Sequence, residues 1–275
     1  MTARPLAVFE RPGPAFLTRH HLPSLPLYGR VRCRRALIQR RRTVAAMSPP
    51  TTPLPGSAAA RRTAVVVAGH LGDSATVRAH IDDADAAVRS CVISALARLN
   101  ELHDGDLVTA LDDGGTARRA IELSAHGGTG ETAIDDRLRA FVAGSDADLA
   151  ELAVWAFGER WQERGGEPGS AVVLAVIESA ARRHDDALVR EAAVAALGAI
   201  GASRSIPVII DAMNDKATVR RRAVIALAPF EGPEVEAALV SARSDRDWQV
   251  RQAAEDLSDS GPPNDDLAGI PPIRP

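Results

Sequence analysis

Large aromatic side chains are scarce in this chain. Its 275 residues include five Phe, three Trp and one Tyr, together 3% of the composition. Because aromatic residues dominate the cores of most enzymes and β-sandwiches, the core here has to consist mainly of Ala, Val, Leu and Ile. Such a core suits closely packed helices, and the composition therefore favours an all-α fold.

Cysteines and long apolar runs are also few. Cys33 and Cys91 form neither a disulfide framework nor the spacing of a metal site. No apolar run approaches the roughly 18 residues that a membrane-spanning helix requires. We therefore expect a cytoplasmic protein with no membrane contact, no bound metal and no other cofactor.

The charges are distributed unevenly along the chain. Residues 1–60 contain ten Arg and one acidic residue, a net charge of +9, so residues 61–275 carry −12 of the overall −3. An acidic folded part is a poor match for a nucleic-acid backbone, which attracts clusters of Lys and Arg. Nucleic-acid binding is disfavoured, and would depend on the basic N-terminal segment alone.

Both ends of the chain have compositions typical of disorder. Residues 1–60 contain nine prolines, lack helical periodicity and include the basic stretch RVRCRRALIQRRR (30–42). That stretch is compatible with a nucleic-acid or membrane arm and with a targeting peptide. We favour a third interpretation, in which 1–46 is upstream sequence and the protein starts at Met47. Residues 258–275 are predicted to be a disordered, Pro-rich, acidic tail.

One phrase recurs along residues 61–257. It reads DDALVREAAVAALGAIG at 185–201, and close relatives occur at 85–99 and 215–230. Aligned on the Arg of its Val-Arg pair, the phrase occurs seven times at intervals of 28 to 40 residues. The third register is fixed only to within one residue, and the fourth copy has Ala in place of Arg. The anchors are Arg61, Arg89, Arg118, Ala150, Arg190, Arg220 and Arg251.

Each copy has the pattern of an amphipathic helix. Apolar residues at offsets −1, +3, +4, +7 and +10 from the anchor fall on one face at 3.6 residues per turn. Ala at +3 and +6 allows close helix contacts, and Gly at +8 and +11 is expected to end the helix. A second apolar helix lies between successive copies, for example at 171–183. The pattern therefore predicts about seven helix–turn–helix repeats stacked as an α-solenoid.

Charged residues at fixed offsets predict how the repeats are joined. An Asp three to five residues before the anchor is expected to cap the helix, and the Arg to hydrogen-bond that Asp or loop carbonyls of an adjacent repeat. The Asp-Asp pairs at 82–83, 112–113, 135–136 and 185–186 are likewise expected to be helix caps. The predicted structural ladder consists of Arg89, Arg190, Arg220, Arg251, Asp85, Asp186 and Asp215.

The phrase D-x-x-V-R-x-x-A-x-x-A-L-G resembles the HEAT-repeat family, particularly the HEAT-like repeats named after phycobilisome (bilin) lyases. The resemblance covers residues 61–257 and implies a right-handed α-α superhelix of the HEAT/armadillo kind. HEAT-like deoxyhypusine hydroxylases hold di-iron with His-Glu dipeptides, and this sequence contains none. HEAT-like DNA glycosylases use a basic surface, which the −12 charge argues against. An accessory enzyme of bilin-lyase or oxidoreductase type remains the alternative to a non-enzymatic protein.

Offset +5 lies nearly opposite the core face, so we expect it to line the concave surface of a solenoid. Apolar residues there would suit the helix or extended peptide of a partner protein, unless neighbouring repeats bury them. We therefore predict a protein-binding adaptor. Trp161, in a glycine-rich loop at 159–170, is expected either to pack over the solenoid edge or to meet a partner. The predicted contact residues are Val66, Leu123, Trp155 and Ile225.

Overall fold

The computed structural model describes residues 56–126, 132–167 and 169–259. These residues form thirteen α-helices and no strand. In chain order the helices are α1 (Ala58–Leu71), α2 (Ser74–Arg78), α3 (Ala86–Arg98), α4 (Asp104–Asp112), α5 (Ala117–Ser124), α6 (Thr132–Val142), α7 (Ala147–Arg160), α8 (Ser170–Arg183), α9 (Ala187–Ile200), α10 (Ile206–Asp211), α11 (Ala217–Ala226), α12 (Pro233–Ala242) and α13 (Trp248–Asp259). Short 3₁₀ turns at Ser203–Ser205 and Ala212–Asn214 flank α10.

The helices are arranged in two layers. Each odd-numbered helix carries one copy of the recurring phrase and contacts the next odd-numbered helix, from α1 through to α13. The even-numbered helices stack in the same way from α4 to α12. We call the two sets the odd layer and the even layer. The predicted all-α solenoid of stacked helix pairs is confirmed.

The predicted boundaries differ slightly from the observed ones. The first described helix begins at Ala58, three residues before the predicted start, and the last ends at Asp259, two residues after the predicted end. The rest of the predicted N-terminal extension, including Cys33 and Met47, lies outside the described residues, as does the predicted tail from residue 260 onward.

The core follows the predicted offsets closely. In α9 all five predicted core positions, at −1, +3, +4, +7 and +10, are buried. They are Val189, Ala193, Val194, Leu197 and Ile200. In the third copy Ala117, Ile121 and Ala125 are buried at offsets −1, +3 and +7, so the burial pattern agrees with the anchor at Arg118. Small residues bring the odd helices together, and Leu or Ile fills the remaining space.

The two glycines of α9 have different structural roles. Gly201, at offset +11, has a φ of 72° and donates its N–H to the Leu197 carbonyl, so it ends the helix as predicted. Gly198, at +8, lies within the helix. A Cβ placed there would be 2.8 Å from Cα, Cβ and the carbonyl oxygen of Ala226 on α11. The prediction for offset +8 is therefore wrong: this glycine permits a close helix–helix contact.

Substituting Gly198 tests that contact. We expect Gly198→Ala to lower the free energy of unfolding by about 1–3 kcal/mol, because the added methyl group has to push α9 and α11 apart. Urea titration followed by circular dichroism measures the change. Gly105→Ala in α4 is the matched control, since a Cβ at Gly105 meets nothing within 4 Å. Equal stabilities of the two variants would contradict the close-contact interpretation.

Candidate partner-binding surface

An arginine early in the odd helices joins one repeat to the next. Arg190 is the fourth residue of α9, and its Nε and Nη2 donate to the two carboxylate oxygens of Asp215, at 2.6 and 2.8 Å. Its Nη1 donates to the carbonyls of His184 and Asp185, at 2.7 and 3.0 Å. Asp215 lies just before α11. The side chain therefore fixes the loop before its own helix and the loop before the next odd helix.

The same contact recurs along the odd layer, and we call it the Arg–Asp ladder. Arg61, Arg89 and Arg220 each donate two hydrogen bonds to the carboxylate that precedes the next odd helix, at 2.7 to 2.9 Å. Arg251, in the last described helix, donates to the carbonyls of Asp245 and Arg246. The accepting carboxylates are those of Asp83, Asp113, Asp215 and Asp245.

The structure divides the predicted ladder aspartates between two functions. Asp85 and Asp186 are N-caps, accepting backbone N–H groups at the start of α3 and α9. Asp215 is not the cap of α11, where Lys216 occupies the N-cap position; it pairs instead with Arg190. Sequence analysis missed Asp83, Asp113 and Asp245 as ladder residues. The available signal was their recurrence 22 to 25 residues after an anchor arginine.

The Asp-Asp pairs were predicted to be helix caps, and this prediction is wrong for most of them. Asp83 and Asp113 belong to the ladder, and Asp112 binds Arg137 at 2.7 and 2.8 Å. Asp135 and Asp136 pair with Arg160 and Arg139. Most of these carboxylates lie beside guanidinium groups of adjacent helices, whereas Asp136 pairs with Arg139 of its own helix, α6. Charge-assisted pairing replaces capping at these positions.

Ladder contacts favour the ionised carboxylates. The hydrogen bonds from Arg61 are the largest cause that lowers the pKa of Asp83, to about 2. Hydrogen bonds from Arg89, Arg190 and Arg220 likewise lower the pKa of their partner carboxyls, those of Asp113, Asp215 and Asp245. Each lowered pKa means that the pair stabilises the fold when the carboxyl is charged.

The fourth copy replaces the ladder contact with a buried ion pair. Ala150 stands at its anchor, but Arg160, the last residue of the same helix, donates from Nε to Asp135 on α6 at 3.0 Å. Its Nη1 donates to the Ser124 carbonyl at 2.7 Å. Arg160 is 3% and Asp135 5% exposed. Burial raises the pKa of Asp135, although Arg160 acts in the opposite direction. This pair connects α5, α6 and α7.

Trp161, the residue after Arg160, is a packing residue. The residue is the C-cap of α7, and it is 4% exposed. Of the two functions expected for it, packing over the solenoid edge is therefore the one that applies. The indole cannot anchor a partner in this conformation.

The +5 residues of the odd layer retain access to solvent. Within the described ranges none of the seven is buried: Val66 is 39% exposed, Asp256 is exposed and the others are half-buried. The half-buried members are Ser94, Leu123, Trp155, Ala195 and Ile225. We call this set the +5 stripe. The alternative, in which neighbouring repeats bury it completely, does not apply.

The predicted contact residues are not all adjacent. Leu123 and Trp155 lie on neighbouring helices, α5 and α7, which are in contact. Val66 is separated from them by α3, which has Ser94 at +5, and Ile225 by α9, which has Ala195 there. Ser94 donates to the Ser90 carbonyl and accepts from Arg119 Nε, both at 2.7 Å. Polar and small residues thus divide the stripe into separate apolar parts.

The central part is built around Trp155. Its ring lies edge-to-face with His126, with ring centroids 6.5 Å apart and an interplanar angle of 84°. On the adjacent turn of α5, Arg119 and Glu122 form an ion pair at 2.8 Å. An apolar and aromatic centre is therefore bordered by paired charges, as in many protein interfaces.

A second part lies at the far end of the odd layer, between α11 and α13. A cleft of about 180 Å³ begins at Ile225 and continues along α13. Trp248, one of its wall residues, is 64% exposed. Sequence analysis missed Trp248 because it precedes its anchor Arg251 by three positions and so falls outside the +5 stripe. We call this site the end cleft, and it is lined by Arg221, Ile225, Trp248, Gln252, Asp256 and Leu257 among others.

The described ranges contain no candidate metal site and no candidate membrane span. No group of three or more His, Cys, Asp or Glu side chains in them is placed to hold a metal ion. None of their helices has both the length and the apolarity needed to cross a membrane.

Comparison with known proteins identifies the repeat. Residues 134–228, which include most of α6 and all of α7 to α11, match the family model for HEAT repeats. The matched part of the chain, residues 134–228, consists of HEAT repeats. The structure of the chain is similar to the X-ray structure of Escherichia coli YibA, with a TM-score of 0.50 over 75% of each chain. The two sequences are 16% identical, so the similarity concerns the fold alone. No curated protein matches the sequence.

Removing one ladder arginine tests the inter-repeat contact. We expect Arg190→Ala to lower the free energy of unfolding by about 1–3 kcal/mol, because Asp215 loses a charged hydrogen-bond partner. Arg182→Ala is the matched control. Arg182 pairs with Asp211 at 3.2 Å, but both side chains are largely exposed, so we expect a change below about 0.5 kcal/mol. Urea titration distinguishes the two, and equal losses would contradict the ladder.

The lowered pKa of Asp215 predicts the direction of the pH dependence. Its contribution is present above the ordinary value of 3.8 and is lost as the pH falls through the lowered pKa. The stability difference between wild type and Arg190→Ala should therefore be largest near neutral pH and decrease in acid. Unfolding titrations of both proteins between neutral pH and pH values below 3.8 measure it. A difference that grows on acidification would contradict the pairing.

Proposed function

We propose that this protein is a non-enzymatic adaptor that binds another protein through the +5 stripe of its odd layer. The observation that carries the proposal is the placement of Trp155. The core-facing positions of α7 are filled by small and apolar residues, including the fully buried Phe157, whereas Trp155 stands on the opposite face and is only half-buried.

The surroundings of Trp155 support a binding function. The +5 residue on the next odd helix is Ala195, whose small side chain projects only a short distance from the helix surface. On the other side, Leu123 and His126 provide apolar and aromatic contact area. A partly exposed tryptophan beside small and apolar residues has the character of an interface hot spot, because a partner can complete its burial.

The even layer offers a contrast. Its exposed large apolar residues include Val172 on α8 and Val240 on α12, 55% and 62% exposed. The two valines lie on helices separated by α10, and single exposed valines are normal on a protein surface. The net charge of −12 over residues 61–275 further favours a protein or peptide over a nucleic acid as the partner.

Affinity capture from the native lysate tests the proposal. The full chain serves as bait beside Trp155→Glu and Val172→Glu, which place the same charge on opposite layers. We expect a partner that binds the wild type and Val172→Glu but not Trp155→Glu. For the identified partner, loss of a hot-spot tryptophan should weaken binding by about 30-fold or more, equivalent to about 2 kcal/mol.

The controls separate binding from folding. All three proteins should have the same helical circular dichroism and the same melting temperature. If Trp155→Glu is less stable, Trp155→Ala, which introduces no charge, replaces it. Identical captures by the wild type and a folded Trp155 variant would refute the +5 stripe as the binding surface, and Trp155 would then be a packing residue.

A further inference from the structure

The end cleft has the size and lining of a site for a short peptide segment. At about 180 Å³ it is smaller than the roughly 300–1,000 Å³ of most small-molecule and cofactor pockets. Ile225 and Leu257 are half-buried in its wall, and Trp248 is 64% exposed beside them. A cleft of this kind can accept one or two aliphatic side chains, which would cover the indole of Trp248.

The lining of the end cleft contains two charged side chains, Arg221 and Asp256. Asp256 accepts a hydrogen bond from the Gln252 side chain. Arg221 stands between two other arginines of α11, of which Arg220 is buried. Arg220 pairs with Asp245 at 2.7 Å and Arg222 with Glu191 at 3.1 Å. Arg221 is exposed, lines the cleft and forms no ion pair with another residue of the described ranges. A segment that combines an aliphatic side chain with adjacent carboxylates would complement both the apolar wall and this guanidinium.

The chain itself contains such a segment immediately after the cleft. Helix α13, which forms one wall, ends at Asp259, and the following residues 260–275 read SGPPNDDLAGIPPIRP. They lie outside the described residues. Asp265 and Asp266 directly precede Leu267, so two carboxylates and one aliphatic side chain are consecutive. This sequence contains Pro262 and Pro263, and proline disfavours the continuation of a helix.

The distances allow the segment to return to the cleft. Leu267 is eight residues beyond Asp259, which corresponds to about 26 Å of extended chain at about 3.3 Å per residue. The twelve residues of α13 span about 18 Å at about 1.5 Å per residue. Every point along the α13 wall is therefore within reach. Because the segment is tethered, its effective concentration at the cleft is on the order of millimolar, so even a weak complementary contact is occupied.

We propose that residues 264–267 dock in the end cleft, with Leu267 against Ile225 and Trp248 and with Asp265 and Asp266 paired to Arg221. The docked segment covers the Ile225 end of the +5 stripe. This inference does not depend on the adaptor function, because the tail and the cleft belong to the same chain.

Fluorine NMR of 5-fluorotryptophan-labelled protein tests the docking directly. The chain has three Trp residues, and the Trp248 signal is assigned with Trp248→Phe. On removal of residues 260–275 we expect this signal to shift and to become more accessible to a soluble paramagnetic agent. The Trp155 and Trp161 signals should not change. A synthetic peptide of residues 260–275, added in millimolar excess to the shortened chain, should reverse the effect.

Point variants in the full chain identify the contacts. Leu267→Ala should reproduce the deletion, whereas Ile273→Ala, in the same tail but outside the docking residues, should not. Arg221→Glu should release the segment, and combining it with Asp265→Arg and Asp266→Arg should restore docking. Arg243→Glu is the charge control, because Arg243 caps α12 in the even layer and is exposed.

The outcomes separate this occupant from others. A Trp248 signal that is identical in the full and shortened chains overturns the proposal. So does a signal that responds to protein concentration in both chains, which would indicate that a second copy occupies the cleft. A Trp248 signal that responds to the tail deletion but to neither Leu267→Ala nor Arg221→Glu would also overturn the assignment of residues 264–267.

Discussion

The ladder guanidinium groups near the start of α1, α3, α9 and α11 are the contacts on which the joints of the solenoid depend. A helix pair of this size cannot bury its apolar face alone, so its stability comes from the next pair. Arg190 binds two carbonyls of its own loop and the Asp215 carboxylate of the next, and thereby fixes the distance and rotation between adjacent repeats. Only with that geometry set can glycine at 198 lie directly against Ala226.

The same spacing determines which residues form the +5 stripe. Because every odd helix presents its core offsets to its neighbours, its +5 position faces away from them in every repeat. The residue type at +5 is then free of the packing constraint and varies from Ser94 to Trp155. A solenoid built in this way can change its +5 residues without altering its core.

Sequence periodicity predicted the helices, the two-layer stacking and the non-core character of the +5 stripe, because these depend on the angle around a helix. It could not predict which carboxylate each arginine binds, because Asp83 and Asp113 reach their partners across a turn between repeats. Sequence periodicity also does not predict which residues are buried at the ends of the solenoid. Val67, at the close-contact offset +6 of the first copy, and Leu71, at its core offset +10, are 50% and 79% exposed, because no described helix precedes α1. The end cleft depends on the tertiary contact of α11 with α13, and periodicity contains no information about its volume.

The replacement at the fourth copy has a consequence for how the molecule responds to ionic strength. Dissolved ions screen partly exposed charge pairs over a Debye length of about 8 Å at physiological salt, but screen buried pairs much less. The ladder contacts of Arg61 and Arg89 are partly exposed, with arginine side chains 32% and 24% exposed. The Arg160 side chain, in contrast, is fully enclosed. We therefore expect concentrated salt to weaken the contacts of Arg61 and Arg89 more than the buried pair that joins α5, α6 and α7. Trp155 lies on α7, at that junction.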